Sequence, residues 1–517
     1  MRQTRLAVLP RLVVATVVLA ASTAQADVRL PALIGDNMVL QRGLPLKVWG
    51  WADAGEKVTV SFHGQKAEAT ASDTGQWLVT LQPVAEAGGP FELTIAGKNT
   101  ITLKNVLMGE VWVCSGRSNM QFSMASVKNS AEEIAAANYP NIRLFKVPNI
   151  TSQTPLDDVK SSWQECTSAN VPGFSAVGYF FGRDLHKALN VPVGLIGSSW
   201  GGTCAEAWST VESLKADRDF DQQFANWDKM IAEYPQNVEK WKVAVETWKK
   251  TAAAARAAGK PVPPQPRAPN GPDSPNRPGN LYQGMIAPLV NYAIRGAIWY
   301  QGEGNVGRAY MYRKLLPLMI ADWRKAWGLE LDFYIVSLAN YMARKDAPAD
   351  SAWAELREAQ SMTAALPHNG LAVIIDVGEA ADIHPKDKQT VGYRLALQAE
   401  KHTYGLDVVA DSPSYAGMSI SGNKIRLRFK NVDGGLIAKD SKFLRGFAIA
   451  GADRKFYFAS AHIKGDTVVV HSRHVKEPVA VRYAWADNPR CNLYNQAGLP
   501  ADPFRTDDWP GVTINNR

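Results

Sequence analysis

The sequence predicts an α/β protein with a parallel sheet, preceded and followed along the chain by all-β regions. Between about residues 106 and 405, short apolar runs alternate with helix-like stretches. Before and after this part, runs of alternating polarity are separated by turns rich in Gly, Asp and Asn. Strands alternating with helices are typical of parallel α/β sheets, whereas short alternating runs are typical of antiparallel sheets. At roughly 150 residues per domain, the 517 residues suggest about three domains.

The first 26 residues predict a signal peptide. Three arginines precede an apolar run from Leu12 to Ala21, and Ala24-Gln25-Ala26 offers a cleavage site of small residues. The apolar run is too short to cross a bilayer. We therefore expect an exported protein, periplasmic or secreted, with no membrane anchor and a mature chain that begins near Asp27.

The two β regions cover residues 27–105 and 406–517. Runs such as Leu46–Trp51 and Val58–Phe62 predict a small β-sandwich in the first, and Ile425–Phe429 is typical of the second. The ends of a chain often lie close together, so the sequence leaves open that the two regions pack on each other.

The part from 106 to 405 contains the predicted parallel sheet and one insertion. Near-continuous apolar runs predict strands buried on both faces; they are Val193–Ile196, Ile294–Tyr300, Phe333–Val336 and Leu371–Val377. An insertion at about 211–279 interrupts the pattern. Its first part, to Ala258, predicts a helical hairpin, and Pro261 to Gly279 predicts an extended loop.

Composition limits the partners of this chain. Its formal charge of +8 is spread without a basic run, so we expect no nucleic-acid partner. Metal-ligand pairs of the His-x-x-x-His or Cys-x-x-Cys type are absent from the sequence, and no metal or other cofactor is expected. The oligomeric state is left open. Spacing does not choose between free thiols and any of three disulfide pairings for the four cysteines, Cys114, Cys166, Cys204 and Cys491.

Two serines are candidate nucleophiles. An apolar strand from Val111 ends in a turn of small residues that presents Ser118, and the residues after it can begin a helix. Gly197-Ser198-Ser199-Trp200-Gly201 fits the G-x-S-x-G nucleophile elbow, so on local pattern Ser199 is an equal candidate. Either serine would need a base and donors for a developing oxyanion.

A candidate base follows the last predicted strand of the sheet. Pro385 favours extended backbone at His384, which places Asp382 and His384 on the same side of the chain. Asp382 could therefore orient the imidazole and stabilise its cationic form. Two-residue spacing is tight for this contact, so Asp376 and Glu379 remain alternative acids.

Two turns could supply oxyanion donors. The turn from Gly197 to Thr203 contains glycines that let a backbone N–H approach a ligand, and the turn from Gln301 to Asn305 offers two side-chain amides. Both follow predicted strands at their carboxyl ends, where open α/β sheets bind ligands.

Several stretches together resemble the sialate O-acetylesterase-like family of SGNH hydrolases. They are Val111–Met124, Gly194–Trp208, Leu281–Leu289, Ile298–Asn305, Asp382–Leu395 and the tail from Arg482 to Phe504. The resemblance implies a three-layer α/β/α sandwich with accessory β-sandwich regions. It also implies a carboxylic ester hydrolase that removes acetyl groups from sugars by a serine mechanism.

By this resemblance Ser118 is the nucleophile, His384 the base and Asp382 its acid, and Ser199 becomes a structural neighbour. The resemblance assigns the oxyanion hole to Ser118, Gly202, Gln301 and Asn305.

Arg117 is a departure from the family, which usually has Gln before the nucleophile. Its cation could bind an acidic sugar or pair with a nearby carboxylate. Arg117 and Glu303 are the predicted substrate-binding residues.

The substrate is predicted only as a class, an acetylated sugar or oligosaccharide. Relatives that this chain resembles include bacterial enzymes acting on plant polysaccharides such as xyloglucan, and we favour that substrate. O-acetylated sialic acid is the alternative. An inactive carbohydrate-binding protein is a further alternative, which the intact Ser118, Asp382 and His384 disfavour.

Overall fold

The structure is a computed structural model that describes residues 27–517, so the predicted signal peptide lies outside the described residues. The N-terminal strands are β1 (Val39–Gln41), β2 (Leu46–Trp51), β3 (Lys57–Phe62), β4 (Gln65–Thr70), β5 (Gln76–Leu81), β6 (Gly88–Ala96) and β7 (Thr100–Gly116). The α/β part continues with β8 (Tyr139–Lys146), β9 (Trp163–Cys166), β10 (Val193–Ser199), β11 (Gly296–Tyr300), β12 (Asp332–Val336) and β13 (Asn369–Ala372).

The α-helices of the described residues are α1 (Ser118–Gln121), α2 (Ser130–Ala135), α3 (Ala176–Leu189), α4 (Val211–Ala216), α5 (Asp221–Ala257), α6 (Ala309–Trp327), α7 (Ala352–Ala364) and α8 (Lys388–His402). The C-terminal strands are β14 (Ser414–Ser421), β15 (Lys424–Lys430), β16 (Leu436–Ala438), β17 (Phe447–Ala450), β18 (Tyr457–Phe458), β19 (Ser460–Lys464), β20 (Thr467–His471), β21 (Ala480–Tyr483), β22 (Leu493–Asn495) and β23 (Phe504–Arg505). Across residues 27–517, no helix is both long and apolar enough to cross a membrane.

The central sheet has the strand order β13-β12-β11-β7-β10-β8, with β9 added at the β8 edge. The first six are parallel, and β9 pairs with β8 in the antiparallel sense. Strand β7 lies inside the sheet, between β10 and β11. The strands β8 to β10 that follow it in sequence lie on one side of it, and β11 to β13 lie on the other side. The carboxyl end of β7 is therefore a topological switch point, where ligands of open α/β sheets bind.

Alternate residues of the central strands face two different cores. Val113 of β7 and Trp299 of β11 belong to a core shared with α6 and α7. Their neighbours Cys114 and Tyr300 belong to a core shared with α3 and α8. Helices therefore cover both faces of the sheet, which confirms the predicted three-layer α/β/α sandwich.

Strand β7 connects the N-terminal strands to the central sheet. Its first residues pair with β1 and β6, and residues from Glu110 onward pair with β10 or β11. Burial alternates from Thr100 to Asn105 and is continuous from Val106 to Gly116, as expected for a strand that enters a sheet covered on both faces. The predicted boundary after residue 105 falls inside this strand, and the N-terminal strands share one apolar core with the α/β part.

The insertion differs from the predicted helical hairpin. Helix α5 is a single helix of 37 residues. The proline-rich segment that follows returns beside it: the indole N–H groups of Trp241 and Trp248 donate to the carbonyls of Pro266 (3.1 Å) and Pro263 (2.7 Å). Prolines recur along this segment, and each lacks the backbone N–H that a helix interior requires. The proline-rich segment is therefore extended rather than helical.

The C-terminal strands form sheets β14-β15-β20-β19, β18-β17-β21-β23 and β16-β22 around a core of their own. Helix α7 attaches this region to the α/β part. The buried guanidinium of Arg357 donates to the carbonyls of Ala486 (2.7 Å) and Asp487 (3.0 Å), and Ser361 donates to Asp502. The predicted packing of the two β regions against each other gains no support from these contacts.

All four cysteines are free thiols. Burial raises the pKa of Cys166 to about 12, which makes its thiol unreactive. The spacing of the cysteines left open whether they form disulfides or remain free, and in the structure they remain free.

Candidate active site

Ser118 lies just after the carboxyl end of β7, at the switch point of the sheet. Gly116 has a φ of +141°, and a Cβ at this position would lie 2.2 Å from the carbonyl oxygen of Tyr300. Only glycine fits this turn. Arg117 is extended and caps α1, so that Ser118 is the first residue of a short helix.

The loop after β13 brings His384 to Ser118. Nε2 of His384 lies 2.8 Å from Oγ of Ser118. The amide of Asn119 donates to the carbonyl of Ile383 at 3.0 Å, and the Phe122 ring stacks on the imidazole with a centroid distance of 6.3 Å. Residues next to the serine therefore hold both the backbone and the ring of the histidine.

Asp382 lies on the other side of the imidazole, with its Oδ1 3.4 Å from Nδ1 of His384. The alternative acids are engaged elsewhere. Burial raises the pKa of Asp376, but hydrogen bonds from Arg394 outweigh it and hold that pKa below its ordinary value. Glu379 accepts the backbone N–H of Lys386 at 3.0 Å. Of the three acids considered, Asp382 is the one placed to orient the histidine.

Ser199 occupies the last position of β10, in register with Gly116 of β7. Its side chain is buried in the sheet rather than presented on a turn into a helix, as a nucleophile elbow requires. The imidazole of His384 faces Ser118, so the structure does not bring Ser199 to a base.

The turn after β10 touches the candidate nucleophile. A Cβ on Gly201 would lie 3.3 Å from the Cβ of Ser118, and the N–H of Gly201 donates to the Gln121 side chain at 2.9 Å. The backbone N–H groups of Ser118 and Gly202 have no acceptor within residues 27–517. These two groups remain free to donate to a developing oxyanion.

Gln301 and Asn305 belong to a buried network instead of the predicted oxyanion hole. The amide of Gln301 donates to Asn305 (2.7 Å) and to the carbonyl of Thr203 (3.3 Å), and its oxygen accepts from Tyr312. The amide of Asn305 donates to Glu206 at 2.9 Å. The structure therefore corrects the predicted role of both side chains: they tie the turn after β11 to the turn after β10.

Arg117 and Glu303 pair with each other. Nη1 of Arg117 lies 3.4 Å from Oε2 of Glu303, whose side chain is only 2% exposed. Oε1 of Glu303 accepts the Asn119 amide at 2.6 Å. Glu303 is thus engaged within the protein and is not free for substrate. Nε of Arg117 is buried and has no hydrogen-bond partner within residues 27–517.

Lys388 is a site residue that sequence reasoning missed. It is completely buried, donates to the side-chain oxygen of Asn119, and lies 4.9 Å from the ring centroid of Phe122. Burial lowers the pKa of Lys388 to about 7, against the attraction of nearby carboxylates, of which Glu303 contributes most. The only sequence signal was its place in the stretch Asp382–Leu395, because the direction of its side chain depends on the loop before α8.

The arrangement brings a serine hydroxyl, an imidazole and a carboxylate into line at the switch point. This is the geometry of an activated serine nucleophile. Within residues 27–517, no three His, Cys, Asp or Glu side chains converge in a way that could hold a metal ion.

Known proteins resemble this chain over almost its whole length, although no family model matches it. Human sialate O-acetylesterase is 30% identical, and the match covers 94% of this chain and 94% of that protein. The mouse protein of the same name is also 30% identical, over 92% of this chain and 94% of its own. The crystal structure of XAC1771, a carbohydrate acetylesterase from Xanthomonas citri, is 38% identical, with a TM-score of 0.80, over 93% of this chain and 100% of that one.

The sequence matches and the structural match cover nearly the same length of this chain. Both extend through the α/β part and the two β regions, because more than nine-tenths of this chain is covered in each case. The chain belongs to the sialate O-acetylesterase family of SGNH hydrolases and is a carboxylic ester hydrolase.

Proposed function

We propose that this protein is a serine-dependent carbohydrate O-acetylesterase with Ser118 as nucleophile, His384 as general base and Asp382 as the acid that orients it. The observation that carries the proposal is the 2.8 Å contact between Nε2 of His384 and Oγ of Ser118. This distance is within the range for proton transfer to a general base.

In the first step, Oγ of Ser118 attacks the carbonyl carbon of an acetyl ester while His384 takes the hydroxyl proton. The backbone N–H groups of Ser118 and Gly202 donate to the oxyanion of the tetrahedral intermediate. The intermediate collapses when the C–O bond to the sugar breaks, and His384 gives its proton to the departing sugar oxygen. The products of this step are a free sugar hydroxyl and an acetylated Ser118.

In the second step, water attacks the acetyl carbon of Ser118 and gives its proton to His384. Collapse of the second intermediate releases acetate and returns the proton to the serine oxygen. Asp382 stabilises the imidazolium that forms in both steps. The side chain of Asp382 is 46% exposed, so water screens part of this effect.

We propose acetylated plant oligosaccharides of the xyloglucan type as the preferred substrates. XAC1771, named a carbohydrate acetylesterase, is more similar to this chain (38% identity) than the human enzyme named for sialate (30%). O-acetylated sialic acid is a second candidate, favoured by the position of Arg117 next to the nucleophile, since a guanidinium can bind the carboxylate of sialate.

We also propose that the chain is exported to the periplasm or the medium. The charged, apolar and small-residue parts of residues 1–26 support this location. Extracellular oligosaccharides would then reach the enzyme without crossing the inner membrane.

Hydrolysis of a nitrophenyl acetate by wild type, Ser118→Ala and Ser199→Ala tests the mechanism. We expect Ser118→Ala to lose turnover by at least about 10³-fold, and Ser199→Ala to retain it. Loss of turnover in Ser199→Ala with retention in Ser118→Ala would overturn the proposed nucleophile. A wild type without activity on any acetyl ester would favour an inactive carbohydrate-binding protein.

Release of acetate from acetylated xyloglucan oligosaccharides and from O-acetylated sialic acid tests the substrate. We expect a higher kcat/KM on the xyloglucan oligosaccharides. Equal values on both would remove the stated preference, and a higher value on sialic acid would establish the alternative.

A further inference from the structure

A cavity lies between the C-terminal β region and the loop that follows β12. Its volume is about 570 Å³, which is typical of small-molecule sites. A neighbouring cavity of about 390 Å³ shares part of its wall. Neither Ser118 nor His384 lines either cavity.

The wall shared by the two cavities is strongly basic. Arg344, Arg445 and Arg490 line both, and none of them has an ion-pair partner within residues 27–517. Arg482, deeper in the larger cavity, is by contrast paired with Asp507 at 2.8 Å. All three guanidinium groups are exposed and can reach a bound anion, although the carboxylates of Asp346 and Asp350 in the larger cavity and of Asp376 and Asp440 in the smaller one also line the walls.

Aromatic side chains line the larger cavity beside these arginines. Phe458 is 55% exposed, while Phe456 and Trp485 are held by the guanidinium of Arg482, which lies 4.2 Å and 5.3 Å from their ring centroids. Aromatic faces present flat apolar surface that suits the C–H face of a sugar ring.

We propose that this cavity is a second carbohydrate-binding site, specific for a sugar unit that carries a carboxylate. A guanidinium binds a carboxylate through two parallel N–H···O bonds, and Arg344, Arg445 and Arg490 supply such forks without breaking an existing pair. The identification of the ligand as a sugar rests on the proposed function, whereas the binding of an anion rests on the arginines alone.

The cavity is joined to the loop that carries the catalytic histidine. Asn340, which lines the smaller cavity, accepts the N–H of Gly378 at 2.7 Å, and Met342 donates to the carbonyl of Ala380 at 3.1 Å. Asp382 and His384 follow directly along the same loop. These two hydrogen bonds connect the wall of the cavity to the loop that carries Asp382 and His384.

Calorimetric titration of the full chain tests the site with three probes: a galacturonate oligosaccharide, N-acetylneuraminic acid and a neutral xyloglucan oligosaccharide. We expect at least one carboxylated probe to bind. The double variant Arg445→Ala/Arg490→Ala should bind it at least tenfold more weakly, since each lost charge-assisted hydrogen bond has about that effect. Arg256→Ala, an exposed arginine in the last turn of α5, is the matched control and should bind as the wild type does.

The two carboxylated probes distinguish a uronate from a sialate as the natural ligand. Failure of both to bind the wild type overturns the proposal, and so does unchanged binding in the double variant. Turnover of nitrophenyl acetate, measured on the same samples, reports separately on the catalytic centre. One outcome separates the two proposals: the wild type binds a carboxylated probe but hydrolyses no acetyl ester, and the double variant no longer binds the probe. The proposed function then fails while the second site stands.

Discussion

Oδ1 of Asp382 lies 3.4 Å from Nδ1 of His384 and also accepts the backbone N–H of that residue at 2.9 Å. One oxygen thus holds both the loop and the ring of the base. The 3.4 Å separation is long for a hydrogen bond, and such contacts in enzymes without bound substrate often tighten in the complex. We therefore expect Asp382 to act on catalysis through the orientation and charge of His384.

Replacement of Asp382 by Asn should lower kcat by about 10²-fold, a smaller loss than for a buried triad acid, because water already screens this carboxylate. KM should change little, since no substrate contact is removed. Steady-state kinetics on nitrophenyl acetate gives both values. Glu379→Gln is the matched control and should keep at least half of wild-type kcat; an equal loss in both variants would contradict the assignment of Asp382.

The charge of Lys388 should control the pH dependence of the base. Burial lowers the pKa of Lys388 to about 7, and Asp382 is among the carboxylates that attract its charge. Below pH 7 its ammonium adds a positive charge to the site, and a nearby positive charge disfavours protonation of a base. Lys388→Met should therefore move the acidic limb of the kcat/KM profile to higher pH, by roughly 0.5 to 1 unit.

The exposed Lys386, two residues earlier, provides the control for this shift. Its ammonium is in water, where salt screens its charge. Lys386→Met should leave the profile within about 0.2 units of wild type. An acidic limb that does not move in Lys388→Met, with the thermal midpoint lowered, would show that the lysine acts on folding alone.

The central sheet and the Ser118–His384 pair could be predicted because their signals are local. Strands buried on both faces leave continuous apolar runs, and a serine after a Gly turn or a histidine before proline has a recognisable backbone. The strand predicted over Leu371–Val377 nevertheless ends at Ala372, where the chain leaves the sheet for the loop that carries His384.

The remaining features depend on partners that are distant in sequence. Whether the Gln301 amide faces a substrate or Thr203 is decided by packing between two turns about 100 residues apart. Helix α5 packs against the proline-rich segment through the hydrogen bonds of Trp241 and Trp248, whereas helical spacing alone suggested a second helix as its partner. Lys388 was missed for the same reason, since its burial follows from the fold around α1.

The buried role of Asn305 predicts loss of stability rather than of catalysis. In Asn305→Ala, Glu206 and Gln301 each lose a hydrogen-bond partner in the interior, which should cost roughly 2 to 4 kcal/mol of unfolding free energy. The kcat of the folded fraction should remain within about threefold of wild type. Denaturant unfolding and kinetics at low temperature measure the two effects; a fall of kcat above 10²-fold without loss of stability would restore the oxyanion role.

Asp502 should make the protein less stable as pH rises from about 4 to 7. Burial raises the pKa of this carboxyl to about 7, although Ser361 and Arg357 lower it. Between its unfolded pKa of 3.8 and its folded pKa, the folded state holds a proton that the unfolded state has lost, so the unfolding free energy falls with increasing pH. Three pKa units correspond to roughly 4 kcal/mol.

Asn cannot ionise and keeps an oxygen that accepts the Ser361 hydroxyl. Asp502→Asn should therefore equal wild type near pH 4 and exceed it in thermal midpoint at pH 8. The measurement is the difference between variant and wild-type midpoints across this range, which removes the contributions of other titrating groups. Asp433→Asn, at an exposed position, controls for the loss of one negative charge. A difference that stays constant with pH would mean that Asp502 is ionised in the folded protein throughout, with Arg357 compensating its charge.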